Sequence, residues 1–408
     1  MSGGGAPLAA KALGEGDRPR AQRILNNGFV MLVVFSVVLG LAAYFSRQPL
    51  LTLIGASKNN YGYAEEYLSI YLIGTLFVQL SVGLNTFLTA QGKSGFAMIS
   101  VMVGAVLNIA LDPLFIFTFG MGIGGAALAT IISQFVSCLF VVGALMKKDA
   151  VLHLELKFMK PDRAAMLAIL GLGLAPFVMS ATESVIGFVL NGRLKYYGDM
   201  LGEDMGDRYV TALAVLQSVM MLITVPVQGF TQGVTPILSY NYGAKNKERL
   251  KKAYFITLAT CWAYCCLCCV VMMSCPRIFG RIFTYEEEIL SIIDRYLPVF
   301  VAGMLIFGIQ RACQTTFVAV TDAKISLFIA ILRKIILLVP FAFIFPMFMG
   351  VGGVYWAECV ADLTAATLCG TIFFFRFRKI LRKMDAGGAP SVQPAANTAD
   401  GEPSGGIK

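Results

Sequence analysis

Charge and histidine are both scarce in this chain of 408 residues. Only 14% of its residues are charged and 57% are hydrophobic, and the mean hydropathy of +0.73 is too high for a soluble globular protein. His153 is the only histidine, which excludes a histidine metal cluster or a histidine-dependent catalytic triad. Phosphate-binding glycine loops and paired nucleophile and base residues are also lacking. The sequence therefore predicts a protein that is not an enzyme and holds no resident cofactor.

The cysteines and the positive charge have membrane explanations. Five of the ten cysteines fall in one apolar stretch, at Cys261, Cys265, Cys266, Cys268 and Cys269. Without a neighbouring histidine or loop, they are interpreted as small hydrophobic residues rather than as metal ligands or disulfides. The formal charge of +9 comes from bases in short loops between apolar runs. Membrane topology explains that pattern better than nucleic-acid binding does.

Long apolar runs dominate the rest of the chain. A membrane-spanning helix needs about 20 apolar residues. Ten stretches of that kind are present, at residues 25–46, 67–90, 95–118, 122–146, 164–191, 209–238, 252–274, 290–319, 325–349 and 351–375. The predicted fold is an all-α polytopic membrane protein with ten transmembrane helices.

Loop charges predict the orientation and the segments outside the membrane. Most Lys and Arg residues fall on one side of the predicted spans, which places both termini in the cytoplasm and the protein in the inner (cytoplasmic) membrane. Residues 1–24 are predicted to be a basic, turn-rich cytoplasmic lead-in, and residues 147–163 a cytoplasmic linker. Residues 384–408, rich in Gly, Pro, Ala and Ser, are predicted to be a disordered cytoplasmic tail.

The sequence also repeats itself at a nearly constant spacing. LGEGDRPRA at residues 13–21 aligns with YGAKNKERL at 242–250, and EYLSIYLIG at 66–74 aligns with RYLPVFVAG at 295–303, both at an offset of 229. GIGGA at 122–126 aligns with GVGGV at 350–354, at an offset of 228. Matches in one order at one spacing predict a parallel duplication, with a substrate site between two pseudo-symmetric lobes.

The two predicted lobes differ in helix number. The N-terminal lobe, residues 25–146, has four helices, and the C-terminal lobe, residues 164–383, has six. A complete duplication would have six in each, so we expect the first two helices to be missing here. The sequence leaves open a misassigned start, a truncated gene or a shortened expressed chain, and with them whether this chain transports at all.

Polar residues inside the apolar runs are the candidate site. Asn108 and Asp112 are four residues apart, on one face of a helix, and Pro113 follows and cannot donate to the carbonyl of Ile109. An ionisable residue deep in a membrane span favours a functional role. A carboxylate, an amide and a freed carbonyl together predict a cation site.

At this point the sequence resembles the multidrug and toxic compound extrusion (MATE) family of transporters. The stretches that carry the resemblance are GGGAPLAAKALGEGDRPRA from Gly3, NIALDPLFIFTFGMGIGGAALAT from Asn108, QGVTPILSYNYGAKN from Gln232, AILRKIILLVP from Ala330 and AECVAD from Ala357. The resemblance implies two lobes around a cavity with alternating access. It also implies a monomeric antiporter that exports amphipathic, often cationic drugs and takes in Na⁺ or H⁺.

The same resemblance implies site residues. Asn108, Asp112 and Thr130 match the cation site of the first lobe, with Na⁺ as their ligand if coupling uses sodium; the family adds an aspartate from its first helix. Glu183 is similar to an acidic residue of the second lobe in another branch. Gln232 and Gln314 are polar candidates for the cavity or for helix–helix hydrogen bonds.

Two other functions stay open at this stage. A flippase for lipid-linked saccharides, from the same superfamily, would need basic residues in the cavity, and Arg311 and Arg333 are the deep candidates. These arginines could instead pair with Glu183, Glu358 or Asp362. The second alternative is a membrane fragment that does not transport.

Overall fold

The computed structural model describes residues 1–54, 61–147, 150–202 and 204–386. The helices before the linker are α1 (Ser2–Gly14), α2 (Arg18–Phe45), α3 (Arg47–Ile54), α4 (Tyr61–Ile73), α5 (Thr75–Ala90), α6 (Ser94–Pro113) and α7 (Gly122–Met146). Those after it are α8 (Arg163–Asp199), α9 (Met205–Gly243), α10 (Lys247–Ser274), α11 (Pro276–Arg281), α12 (Glu287–Ala302), α13 (Phe307–Ala319), α14 (Ala323–Ile331), α15 (Val339–Met349) and α16 (Gly352–Ala386). These ranges contain no strand, so the all-α prediction is confirmed.

The described helices account for the ten predicted spans. Eight helical segments are long and apolar enough to cross a membrane, and two bent helix pairs bring the number to ten. The bent pairs are α4 with α5, at 58°, and the helix Glu287–Leu305 with α13, at 41°. The chain is therefore a multi-pass membrane protein.

The helix boundaries repeat at the offset seen in the sequence. Both the first and the last residues of α2 and α10 are 229 positions apart. The first bend falls at Gly74 and the second at Ile306, three residues after Gly303, the equivalent of Gly74. The N-caps are equivalent as well: the side chains of Asp17 and Asn246 each accept a hydrogen bond of 3.0 Å from the backbone N–H three residues later. The two halves are thus structural copies.

The N-terminal residues differ from their prediction. Residues 2–14 form helix α1, the counterpart of the last part of α9, and not a turn-rich lead-in. Its small residues, Gly4, Ala9 and Ala10 among them, are buried against α9, α2, α8 and α5. Their lack of bulk hides the helix from a hydropathy analysis, yet it is what lets neighbouring backbones approach.

The two repeats approach each other closely at the C-terminal ends of α1 and α9. A Cβ added to Gly14 would lie 2.0 Å from the carbonyl oxygen of Tyr240, and one added to Gly243 would lie 2.1 Å from that of Lys11. Both pairs of residues are related by the offset of 229, so the contact is pseudo-symmetric. The axis that relates the repeats therefore passes between these two helix ends.

The predicted linker is fixed to the first repeat. The side chain of Asn26 accepts a hydrogen bond of 2.9 Å from the backbone N–H of Glu155, and that of Asn27 accepts one of 2.8 Å from Asp162. Both asparagines, on α2, are 0% exposed. Buried amides of this kind hold the linker on the bundle. The predicted disordered tail lies outside the described residues from position 387 onward.

The cysteine cluster lies in the core of the second repeat. Cys261, Cys265 and Cys269 are spaced by four residues on α10, and all three are buried among apolar side chains of α9, α12 and α13. Their thiols are free. Here cysteine fills space as a small hydrophobic residue, as the sequence predicts.

Candidate functional site

Asn108, Asp112 and Thr130 come together where α6 packs against α7. The amide nitrogen of Asn108 lies 3.1 Å from Oδ1 of Asp112 and 3.5 Å from Oγ1 of Thr130. Thr130 also donates to the carbonyl oxygen of Ala126, at 3.0 Å. All three side chains are half-buried, so the cluster can be reached from outside the helix pair.

Proline and a π-helical turn shape the backbone beside this cluster. Pro113 ends α6 and the segment Leu114–Thr118 follows as a π-helix, with the N–H of Phe119 bonded to the carbonyl of Leu114 at 3.0 Å. Such turns form where a helix has to absorb a missing donor or an extra residue, and they are frequent at functional sites. The helix thus continues past Pro113 with a changed register.

The lack of an ion pair at Asp112, in the part of the chain that the structure describes, distinguishes this cluster from the buried carboxylates of α16, Glu358 and Asp362. Among the described residues Asp112 forms no ion pair, and its one short side-chain contact is with the neutral amide of Asn108. Carboxylate, amide and hydroxyl oxygens are the donors that a hard cation such as Na⁺ prefers. The residues therefore fit either a sodium ion or a proton on Asp112.

Two buried ion pairs occupy the corresponding helices of the second repeat. Nε and Nη2 of Arg333 donate to the two oxygens of Asp362, at 2.6 and 3.0 Å. Nζ of Lys334 lies 3.3 Å from Oε1 of Glu358. The two cations lie on a π-helix, Leu332–Leu338, and the two anions are one turn apart on α16. All four residues are at most 7% exposed.

The first of these ion pairs identifies the partner of Arg333, which the sequence alone left open. Arg333 binds Asp362 in the two-bond geometry that suits guanidinium and carboxylate, and its guanidinium also lies 5.1 Å from the ring centre of Phe307. Lys334 is a residue that sequence reasoning missed. The sequence does contain a sign of this pair. Lys334 is a second basic residue directly after Arg333, and the acidic Glu358 follows twenty-four residues later in the next apolar run.

Of the second-lobe candidates, Glu183 and Gln314 share one neighbourhood. The amide of Gln314 lies 3.6 Å from Sδ of Met179, and the guanidinium of Arg311 lies 3.9 Å from the same sulfur. Met179 is one helical turn before Glu183 on α8. Glu183 is exposed and lies within electrostatic reach of Arg311. This neighbourhood thus holds one acidic and one basic side chain.

Gln232 lies on a different helix from Glu183 and Gln314. It is exposed on α9, and within the described ranges no hydrogen bond joins it to either residue. Gln314, by contrast, is only 8% exposed. A shared role for the three residues remains a prediction.

Comparison with known proteins agrees with this arrangement of helices. The MatE family model matches residues 1–114 and 178–344, well over half of the chain. The chain belongs to the MatE family. MatE proteins, the MATE transporters, are membrane transporters and not enzymes, so the predictions of family, fold class and absence of enzyme activity are confirmed.

Relatives with assigned names include two bacterial exporters. The multidrug export protein MepA of Staphylococcus saprophyticus is 25% identical over 366 residues, covering 89% of this chain and 78% of that protein. MepA of Staphylococcus haemolyticus is 25% identical over 374 residues, covering 91% and 80%.

Solved structures share the fold at lower identity. A multidrug resistance MATE family transporter of the MOP superfamily, in its outward-facing conformation, superposes with a TM-score of 0.86 at 23% identity. A MOP superfamily transporter from Pyrococcus furiosus, whose binding pocket is described as having reverse polarity, superposes with a TM-score of 0.86 at 24% identity. Each match covers 93% of this chain and 84% of the other.

Proposed function

We propose that this protein is a cation-coupled antiporter that exports amphipathic, often cationic small molecules by alternating access. Its membership of the MatE family and its similarity to the multidrug export protein MepA support export of small molecules. The enrichment of basic residues in the loops on one side supports a location in the cytoplasmic membrane with both termini inside. On this proposal the protein works as a monomer, with membrane lipids as its other partners.

The observation that carries the coupling proposal is the unpaired carboxylate of Asp112. A charged carboxylate inside a membrane helix is costly, and its usual remedy is a partner of opposite charge. The two buried carboxylates of α16, Glu358 and Asp362, each have such a partner. Asp112 has an amide and a nearby hydroxyl instead. A Na⁺ ion or a proton supplies the missing positive charge.

The coupling follows from differential binding. A cation drives transport only if it binds one conformation of the carrier more tightly than the other. Asp112 lies beside the π-helical turn Leu114–Thr118, where a change in helix register would alter the distances from Asn108 and Thr130. Occupied and empty forms of the site therefore favour different arrangements of α6 and α7.

The test is transport by the purified protein in liposomes, with Na⁺ and H⁺ gradients imposed separately. Efflux of a fluorescent cationic drug should respond to one gradient, and Asp112→Asn should abolish that response. The matched control is Asp207→Asn, because Asp207 is an exposed carboxylate that pairs with Lys195 outside the site. Gradient-driven efflux that persists in Asp112→Asn would remove Asp112 from the mechanism.

Glu183 is proposed as the acidic residue of the second lobe, as a proton acceptor or as a counter-charge for cationic substrates. The exposure of Glu183 supports direct contact with substrate. Arg311 lies nearby, so a cationic substrate can replace its guanidinium as the positive charge next to Glu183. In the same liposome assay, Glu183→Gln should raise KM for a cationic drug more than for a neutral one. An equal fold-change in KM for both drugs, relative to the wild type, would contradict this role.

The flippase alternative is less well supported by these contacts. Arg333 is fully neutralised by Asp362, which leaves Arg311 as the deep basic side chain that has no carboxylate within hydrogen-bond distance in the described part of the chain. One such arginine, with Glu183 nearby, is a weak site for a pyrophosphate group.

A further inference from the structure

A polar concavity that does not include the Asp112 cluster lies at the ends of four helices. Its volume is about 700 Å³, and it is lined by the last turn of α1, the turns that follow α9 and α13, and the last turns of α16. It includes Gly243, one of the two glycines of the pseudo-symmetric contact between α1 and α9. The concavity therefore spans the boundary between the two repeats.

Basic side chains dominate this concavity. Five basic residues line it, Lys11, Lys245, Arg376, Lys379 and Lys383, against two acidic ones, Glu15 and Asp322. Arg376, Lys379 and Lys383 recur after three and four residues, so they form one stripe on α16. All three are exposed, and none of them forms an ion pair with another described residue. Like charges on one stripe repel each other, and a bound anion relieves that repulsion.

Lys11 brings a charge from the other repeat. Its ammonium donates to Oγ1 of Thr321, at 3.2 Å, although the two residues are 310 positions apart. It also lies 3.9 Å from a carboxylate oxygen of Glu15 and 5.2 Å from the ring centre of Tyr242. Burial lowers the pKa of Lys11, and Glu15 partly opposes that shift. A second anionic partner would offset the loss of hydration further.

The acidic residues leave the concavity with an excess of positive charge. Glu15 is engaged by Lys11 and also by Arg20, whose Nη1 lies 3.2 Å away. Membrane topology requires basic residues only somewhere in the cytoplasmic loops. Here they converge from three separate segments on one concavity that is large enough for a polyatomic anion.

We propose that this concavity binds a phosphate group and that the bound group holds α1 and α16 together across the boundary between the repeats. Lysine ammonium groups bind phosphate as point charges, and basic pockets between membrane helices accept lipid head groups. The phosphate belongs to an anionic lipid or to a free phosphate compound. A ligand that contacts both repeats stabilises the conformation in which α1 and α16 lie together around the concavity.

The experiment measures phosphate binding by the purified full-length chain and by two charge-matched variants. One variant removes two basic residues of the concavity, Lys379→Gln with Lys383→Gln. The control removes two exposed basic residues from the same turns that do not line it, Arg378→Gln with Arg382→Gln. Inorganic phosphate is titrated in neutral detergent, and phosphatidylglycerol in phosphatidylcholine nanodiscs, with the thermal midpoint as the readout.

The control variant should match the wild type, and the pocket variant should lose about 30-fold in affinity, from roughly 1 kcal/mol for each lost charge. Loss with inorganic phosphate identifies a free phosphate compound as the source, and loss in phosphatidylglycerol nanodiscs alone identifies the lipid. An equal loss in both variants, or no stabilisation by either probe, would overturn the proposal.

A third variant tests the bridge between the repeats. Lys11→Gln leaves the α16 stripe intact but removes the contribution of α1. It should weaken phosphate binding by about fivefold, from roughly 1 kcal/mol for the one charge that is lost. If binding were unchanged in Lys11→Gln and lost in the α16 variant, the phosphate would contact one repeat only, and the bridging part of the proposal would be wrong.

Discussion

The close contact between α1 and α9 can be tested by two glycine-to-alanine variants that have the same effect on helix propensity but differ in steric crowding. Gly243 is the last residue of α9, and a Cβ there would lie 2.1 Å from the carbonyl oxygen of Lys11. Gly233, ten residues earlier on the same helix, has nothing within 4 Å of its added Cβ. Neither glycine has a positive φ, so alanine fits both backbones. Gly243→Ala and Gly233→Ala therefore differ mainly in the contact they make.

The expected difference follows from two opposing contributions. Replacing glycine by alanine within a helix stabilises it by roughly 0.5–1 kcal/mol, and this gain is common to both variants. Crowding a close-packed contact costs about 1–3 kcal/mol, and Gly243→Ala alone bears that cost. A Cβ closer than 3.0 Å forces a shift, and here the opposing atom is backbone, which cannot rotate away. Gly243→Ala should therefore be about 1–3 kcal/mol less stable than Gly233→Ala.

The pseudo-symmetry adds a second expectation. Gly14→Ala places its Cβ 2.0 Å from the carbonyl of Tyr240, so it should destabilise the protein as much as Gly243→Ala does. The two changes separate the same pair of helices, so the double variant should cost less than the sum of the single ones. A crowding energy of 1–3 kcal/mol that acts only on the closed conformation would also shift the balance between conformations by about 5–150-fold.

Thermal unfolding of the three single variants in one detergent, together with their initial rates of drug efflux in liposomes, measures both effects. Equal stability of Gly243→Ala and Gly233→Ala would contradict the steric explanation. Different behaviour of Gly14→Ala and Gly243→Ala would show that the contact is not shared between equivalent residues.

Two further predictions concern buried polar contacts. Asp362→Ala leaves the guanidinium of Arg333 buried without its partner, so chemical denaturation should show a loss of about 3–5 kcal/mol, and a stability equal to that of the wild type would mean that the ion pair is not formed. Asn26→Ala removes the acceptor of a linker N–H and should cost about 1–3 kcal/mol, with faster proteolysis between residues 150 and 162. The control is exposed Asn191→Ala, and equal proteolysis of both variants would show that Asn26 does not hold the linker.

The apolar spans and the duplication could be predicted from the sequence because each depends on a local property. Length and hydropathy determine which segments can cross a membrane, and the offset of 229 between motifs recurs as the offset between helix ends. The proximity of Asn108 and Asp112 could also be predicted, since four residues make about one helical turn. The contact of Asn108 with Thr130, twenty-two residues away, came from the family resemblance and not from spacing.

What escaped prediction depends on packing between segments. Helix α1 is too short and too rich in small residues to be recognised as a span, and it is buried because α9, α2, α8 and α5 cover it. The π-helical segments Leu114–Thr118 and Leu332–Leu338 depend on how each helix packs against its neighbours, and no sequence pattern predicts where they occur. The interaction of Gln314 with Met179 joins residues 135 positions apart on separate helices.

The repeat itself supports the distinction between Asp112 and the acidic residues of α16. At the offset of 228, which relates the two glycine motifs, Thr130 on α7 corresponds to Glu358 on α16. The two helix pairs thus have the same architecture, but their carboxylates have different neighbours. In the second repeat each carboxylate faces a cation of the neighbouring helix, and breaking either pair leaves a buried charge. In the first repeat the neighbouring helix supplies a hydroxyl group, so on the proposed mechanism an exchangeable Na⁺ or H⁺ balances the charge of Asp112. This contrast is why we propose the exchangeable cation for the first lobe and a structural role for the ion pairs of the second.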